Sequence, residues 1–220
     1  RAALLLFRRA DAVKEKKEES RMFWDRAAGV YDLFANVWNK KTHGALCAYV
    51  EAQISPADEV LECACGTGLL TEGIAAKCKR LVATDFSEKM LEKAEKKCGK
   101  FGNVTFKREN ILQIGEPDGR FDAVVAANVI HLLDEPLRAL AELDRVCRGG
   151  GKIIIPTYMN ENEKGRNSGF STIVGRAGAD FKRAFTLDSY KAFFKAAGYE
   201  NVEYAFFEGR VPCAVAVIRK

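Results

Sequence analysis

Long apolar runs, a concentrated basic stripe, internal repeats and paired-cysteine motifs are all missing from this 220-residue sequence. The longest apolar stretches, such as Phe121 to Ile130 with its Asp122 and Asn128, fall well short of the roughly 18 to 20 residues of a membrane-spanning helix. No transmembrane segment is expected. The seven cysteines (Cys47, Cys63, Cys65, Cys78, Cys98, Cys147, Cys213) are odd in number and scattered. The close pair Cys63 and Cys65 has one residue between its members and no His-x-Cys or second pair nearby to complete a tetrahedral site. Reduced thiols, a cytoplasmic setting and no metal are the expectation. The apolar stretch Ala2 to Phe7 is short and runs straight into Arg8 and Arg9, which is not the order of a secretory signal. Packing is its plainer reading, and peripheral contact with a membrane surface the alternative.

What is present is 48% hydrophobic and 30% charged residues, enough for the core of one α/β domain with a small appendage. Thirty-five Lys and Arg against thirty Asp and Glu leave +5, interspersed along the chain, so charge selects no partner and nucleic acid is not expected.

Residues 1–55 are expected to form a helical N-terminal cap: helix over Ala2 to Glu19, then an aromatic-rich helical region over Phe23 to Ile54. After Ser55-Pro56 the pattern changes to short apolar runs alternating with helices. Strands are expected at Glu59 to Cys63, Arg80 to Thr84, Val104 to Lys107, Phe121 to Ala126 and Lys152 to Pro156. Helices are expected at Leu69 to Lys77, Ser87 to Cys98 and Pro136 to Cys147. Such alternation requires a mostly parallel sheet with helices on both faces and right-handed crossovers. Residues 159–183 break the order. They are too long for a simple connection and read as an insertion over the carboxyl ends of the strands. A helix at Leu187 to Ala197 and an antiparallel hairpin, Asn201 to Phe207 with Pro212 to Ile218, complete the core of residues 56–220.

The densest signal runs from Val60 to Leu70, where a buried strand passes through small residues, with Gly66 and Gly68, into a helix. Backbone can approach a ligand closely there, and the helix start offers free N–H groups. A dinucleotide fingerprint would place a third glycine where Thr71 stands, which argues against a nicotinamide. Asp85 follows at the end of the next strand, 17 residues after Gly68. A carboxylate there can accept both hydroxyls of an adenosine ribose. Helix capping is the plainer role for an acid at such a place, but Ser87 is the better cap.

At these residues the chain resembles class I S-adenosylmethionine-dependent methyltransferases. Glu62-Cys63-Ala64-Cys65-Gly66-Thr67-Gly68 is similar to their first motif, and Thr84 to Leu91 to their second-strand motif. Phe121 to Val125 with Asn128 to Leu132 resembles the fourth-strand motif, and Arg148 to Lys152 the turn into the fifth strand. The resemblance implies a Rossmann-like, seven-stranded, mostly parallel sheet with an antiparallel last strand. It implies S-adenosyl-L-methionine as cofactor, released as S-adenosyl-L-homocysteine. Glu62, Ala64, Cys65, Gly66 and Gly68 would face its methionine and ribose parts, Asp85 the ribose diol, Phe86 and Met90 the adenine faces. Asn110 and Ile111 would edge the adenine, and Asn128 would lie beside the methionine. Ala64 departs from the family, which has glycine there, and adds a methyl where backbone meets cofactor.

Methyl transfer from a sulfonium mainly requires alignment of the acceptor and exclusion of water. With two histidines in the chain, His131 after the fourth strand is the candidate base, against a structural role. Phe23 to Ala28 leading into Tyr31-Asp32 resembles the start of the ubiquinone and menaquinone biosynthesis C-methyltransferases, and that resemblance makes Tyr31 a candidate cofactor or substrate contact. Asn128-Val129-Ile130-His131 replaces the arginine- and asparagine-rich segment of those enzymes, which speaks against a quinone acceptor. The 159–183 insertion carries a surplus of two positive charges and reads either as an amphipathic lid over an acidic or amphiphilic small-molecule acceptor or as a solvated loop. A cofactor-binding regulatory protein that has lost catalysis is the alternative.

Overall fold

The computed structural model describes Asp25 and residues 39–162, 164–167 and 182–220. The first expected helix, the aromatic region up to Trp38, Tyr31, and residues 168–181 of the insertion lie outside the described residues.

In chain order the elements are α1 (Lys40–Ala52), β1 (Glu59–Cys63), α2 (Thr71–Ala75), β2 (Arg80–Asp85), α3 (Glu88–Cys98), β3 (Val104–Arg108), β4 (Phe121–Ala126), a 3-10 turn (Ile130–Leu132), α4 (Pro136–Val146), β5 (Cys147–Tyr158), α5 (Leu187–Ala196), β6 (Val202–Phe207) and β7 (Cys213–Arg219). The strands form one seven-stranded sheet in the order β3-β2-β1-β4-β5-β7-β6. β3, β2, β1, β4 and β5 pair in parallel. β7 runs antiparallel to both β5 and β6, the expected terminal hairpin.

Each central strand is apolar on both faces because helices cover both. On one face Val60, Leu81, Ala83 and Val125 pack under Leu46 and Val50 of α1, Ile74 of α2 and Leu91 and Ala94 of α3. On the other, Leu61, Val82, Val124 and Ile153 meet Ala139, Leu140, Leu143 and Val146 of α4 and Tyr190 and Phe194 of α5. The α4 positions recur at helical spacing behind Pro136 at the first turn, so the helix begins with a residue whose missing N–H costs nothing there. Burying a Leu or Val side chain contributes about 1.5–3 kcal/mol before conformational entropy is subtracted.

Several boundaries differ from expectation, three of them for a visible reason. α2 begins at Thr71 rather than Leu69, because Gly66 to Leu70 are spent winding out of the sheet. α1 begins only at Lys40, preceded by Asn39, whose amide donates to Val211 O at 2.9 Å and accepts from Val211 N at 3.3 Å. β5 takes in the glycine run read as a turn. Its pairing with β4 jumps from Phe121↔Cys147 to Ala123↔Lys152, so residues 148–151 form a bulge within the strand. Among the described residues no helix is long and apolar enough to cross a membrane.

Candidate functional site

Strand order reverses between β1 and β4, and the crevice outside their carboxyl ends is where open α/β sheets bind ligands. The β1–α2 loop is held there by backbone. Cys65 N donates to Thr84 O at 2.9 Å, and Gly68 N to Cys65 O at 3.1 Å. Three consecutive alternate residues, Ala64 (φ 55°), Gly66 (φ 56°) and Gly68 (φ 82°), are left-handed. The two glycines differ in surroundings. Among the described residues a Cβ on Gly66 would meet nothing within 4 Å, whereas one on Gly68 would come 3.1 Å from both Ala94 Cα and Cys98 Sγ. Gly66 therefore borders the crevice and Gly68 seats the loop against α3.

Asp85, 6% exposed, ties this loop to the next one. One carboxyl oxygen accepts Gly66 N at 2.9 Å, the other Ser87 N at 2.9 Å. Burial raises its pKa, and the backbone N–H groups from Ser87 and Gly66 oppose the rise. Ser87 is the α3 cap, as expected: its Oγ accepts Met90 N at 3.2 Å and donates to Asp25 Oδ1 at 2.5 Å. Phe86 is half-buried above it and Met90 is buried in the first turn of α3.

Glu62 is 1% exposed and receives a hydrogen bond from Thr71 Oγ1 at 2.7 Å. Burial pushes its pKa up to about 8; the Thr71 bond opposes this and the Asp85 charge adds to it. Thr71 occupies the slot where a dinucleotide fingerprint has glycine, so the departure noted in the sequence is the partner of the buried acid. Among the described residues no Lys or Arg forms an ion pair with Glu62 or Asp85.

The remaining sequence-predicted residues line up along the same strand ends. Glu109 N donates to Asp85 O at 3.1 Å, drawing the end of β3 to β2. Asn110 is exposed, with Oδ1 accepting Leu112 N at 3.0 Å, and Ile111 is half-buried against the core. Asn128 is left-handed (φ 52°), donates from N to Pro156 O at 2.8 Å and accepts Tyr158 N on Oδ1 at 3.1 Å, so it clamps the end of β4 to β5. His131 is 4% exposed, and burial lowers its pKa to about 3, which leaves a neutral imidazole of low basicity at pH 7. Its carbonyl receives Lys182 N and Arg183 N at 3.0 and 3.1 Å; Arg183 Nη1 reaches Leu133 O at 2.8 Å and Lys182 Nζ pairs with Asp134 at 3.1 Å. The insertion thus returns directly onto the turn after β4, a contact between residues some fifty positions apart that no sequence pattern shows. Cys63 and Cys65 are buried free thiols with raised pKa values, and among the described residues no cluster of His, Cys, Asp or Glu suits a metal.

Ala64 is a β-carbon residue in a conformation that costs about 1–2 kcal/mol without glycine. Ala64→Gly is therefore expected to stabilise the protein by about 1 kcal/mol, net of glycine's extra unfolded-state entropy, raising Tm by ~2–4 °C. Thermal melts with an unchanged or lowered Tm would contradict strain at this position.

A glycine-lined switch point, an acid at the end of the second strand and a reversed seventh strand together define a Rossmann-like methyltransferase fold. A family model described as a methyltransferase domain matches residues 61–155. The chain is 31% identical over 173 residues to a demethylmenaquinone methyltransferase of Mycolicibacterium gilvum, covering 75% of this chain and 69% of that protein. It is likewise 31% identical over 150 residues to one of Clavibacter sepedonicus, covering 67% of this chain but 60% of that protein, so it spans somewhat under two thirds of that relative's length. In structure it is similar to an S-adenosylmethionine-dependent methyltransferase from Thermotoga maritima, with TM-score 0.71 and 19% identity over 90% of this chain and 99% of that one. The chain belongs to the class I S-adenosylmethionine-dependent methyltransferase family.

Proposed function

We propose that the protein transfers a methyl group from S-adenosylmethionine to a small-molecule acceptor by in-line displacement. The observation that carries this reading is the space beside Gly66, where among the described residues an added Cβ would meet nothing within 4 Å, next to the Asp85 carboxylate that accepts Gly66 N. A cofactor with a ribose diol and two cationic groups fits such a site, and it supplies an electrophilic methyl carbon. Asp85 retains lone pairs for the diol, Phe86, Met90 and Ile111 offer apolar surface to the adenine, and Asn110 offers its amide to the ring edge. Asn128, fixed by two backbone bonds, borders the methionine end, and Tyr31 is a candidate cofactor or substrate contact. The chain's part in the reaction is to hold the acceptor in line with the methyl group and keep water out. A base is needed only for an acceptor that loses its proton early. His131 is the nearest candidate by position, and its low basicity favours acceptors that are already nucleophilic.

Calorimetric titration with S-adenosylmethionine, followed by transfer of labelled methyl into fractionated metabolite extracts, tests this. Binding with transfer into a low-molecular-weight product is expected; no binding would sink the proposal. Ala64, left-handed in the cofactor loop, favours one second reading, a cofactor-binding regulatory protein without catalysis. Binding without transfer to any acceptor fraction would select it.

A further inference from the structure

Glu62 is the most deeply buried acidic side chain among the described residues, and among them no Lys or Arg forms an ion pair with it. From α2, Thr71 donates one hydrogen bond to it. From β2 it faces the Asp85 carboxyl, whose negative charge acts on it. The thiols of Cys63 and Cys65 on its own strand and loop, Cys47 on α1, Cys78 after α2 and Cys98 on α3 all feel its charge, and burial raises every one of them, so they remain neutral. Glu51 of α1 and Glu72 of α2 act on the same thiols, Lys97 and Lys100 on Cys98, and Asp58 on Cys78. A carboxyl in this setting is more stable with its proton, and a cation placed beside it reverses that preference.

We propose that Glu62 is protonated in the free protein and releases that proton to solvent when S-adenosylmethionine binds, so that the site takes up its cationic ligand in exchange for a proton. This rests on the cofactor assignment above. The O–H bond of the carboxyl breaks, the proton passes to the buffer, and the carboxylate left behind neutralises one of the ligand's two positive charges. With the free group titrating near pH 8, it is about nine-tenths protonated at pH 7. A neighbouring cation lowers a carboxyl pKa by about 1 to 3. For a lowering of about 2, binding is therefore expected to release ~0.5 proton per site at pH 6 and ~0.8 at pH 7, and affinity is expected to be about fivefold tighter at pH 7 than at pH 6, a range in which the ligand's own α-ammonium stays largely protonated.

Calorimetry of S-adenosylmethionine binding in buffers of different ionisation enthalpy, at pH 6 and pH 7, measures this directly. In Glu62→Gln, which keeps an acceptor for Thr71, proton release and the pH dependence of affinity are expected to vanish while binding persists. In the ligand-free protein, carbon NMR of the glutamate carboxyls is expected to show one group titrating near pH 8 that Glu62→Gln removes. Binding by the wild type without proton release, release that survives in Glu62→Gln, or all glutamates titrating below about pH 6 would each overturn the coupling. Absence of any binding would overturn the cofactor assignment as well.

Discussion

Asp85→Ala is expected to weaken S-adenosylmethionine binding by about 100- to 10,000-fold. Two hydrogen bonds from a diol to a carboxylate contribute about 1.5–3 kcal/mol each, and every 1.4 kcal/mol is tenfold in affinity. Loss of the diol bonds is one part of the effect. In the free protein the same carboxylate receives Gly66 N and Ser87 N, so its removal also leaves two backbone donors without their acceptor and loosens the loop that shapes the crevice. Each such donor costs ~1–3 kcal/mol where water does not replace the bond. Removing a buried carboxylate recovers some desolvation energy, so the fall in Tm is expected to be smaller than the loss of affinity. Asp85→Asn separates the two effects. Its single oxygen accepts one backbone N–H, while its amide nitrogen turns a donor toward the other. Asn is therefore expected to restore part of the stability and little of the affinity. Calorimetry and thermal melts on wild type and both variants give the comparison. An affinity of Asp85→Ala within about threefold of wild type would exclude the carboxylate as a cofactor contact.

The parts of the fold legible in the sequence are those with a local physical cause. β4 was expected at Phe121 to Ala126 and lies there, because a strand covered on both faces is a continuous apolar run with turn residues before it. The α3 cap was legible because Ser87 followed by a helix-forming segment has one favourable use. The start of α1 was not. Asn39 is held by the backbone of Val211, and nothing near Asn39 in sequence carries that information. The bulge at residues 148–151 was half legible: glycines announced an irregularity, but whether it interrupted or preceded β5 depended on β4 beside it. At the site, Gly66, Gly68 and Asp85 were placed together because short loops at adjacent strand ends leave them no other location. Thr71 was noted in the sequence as a missing glycine. Its role as the hydrogen-bond partner of Glu62 appears only when α2 is wound tightly enough to bring residue 71 back over the end of β1. His131 stands in the turn after the fourth strand, while the return of Lys182 and Arg183 onto its carbonyl, from a distant part of the chain, has no signature in the sequence.

The two loop glycines provide the sharpest separation of folding from binding, since both are left-handed but only one is enclosed. Gly68→Val is expected to destabilise the protein by about 4 kcal/mol or more. The left-handed backbone alone costs ~1–3 kcal/mol for a residue with a β-carbon, and more for a β-branched one. Its Cβ would lie 3.1 Å from the Ala94 backbone, and the added methyls have no room between β1 and α3, which adds the ~1–3 kcal/mol of an overpacked core. A loss of that size is a large share of the total stability of a domain, so a soluble, cooperatively melting variant is expected only at reduced temperature. Gly66→Ala has the same backbone penalty without the collision. Its Tm is expected to fall by a few degrees, while cofactor affinity falls by tenfold or more because the new methyl occupies the space beside the crevice wall. Urea unfolding of the free variants and calorimetry with S-adenosylmethionine measure the two quantities independently. If Gly66→Ala loses stability as heavily as Gly68→Val, or binds the cofactor as tightly as wild type, Gly66 does not border the cofactor and the loop must be seated by both glycines alike.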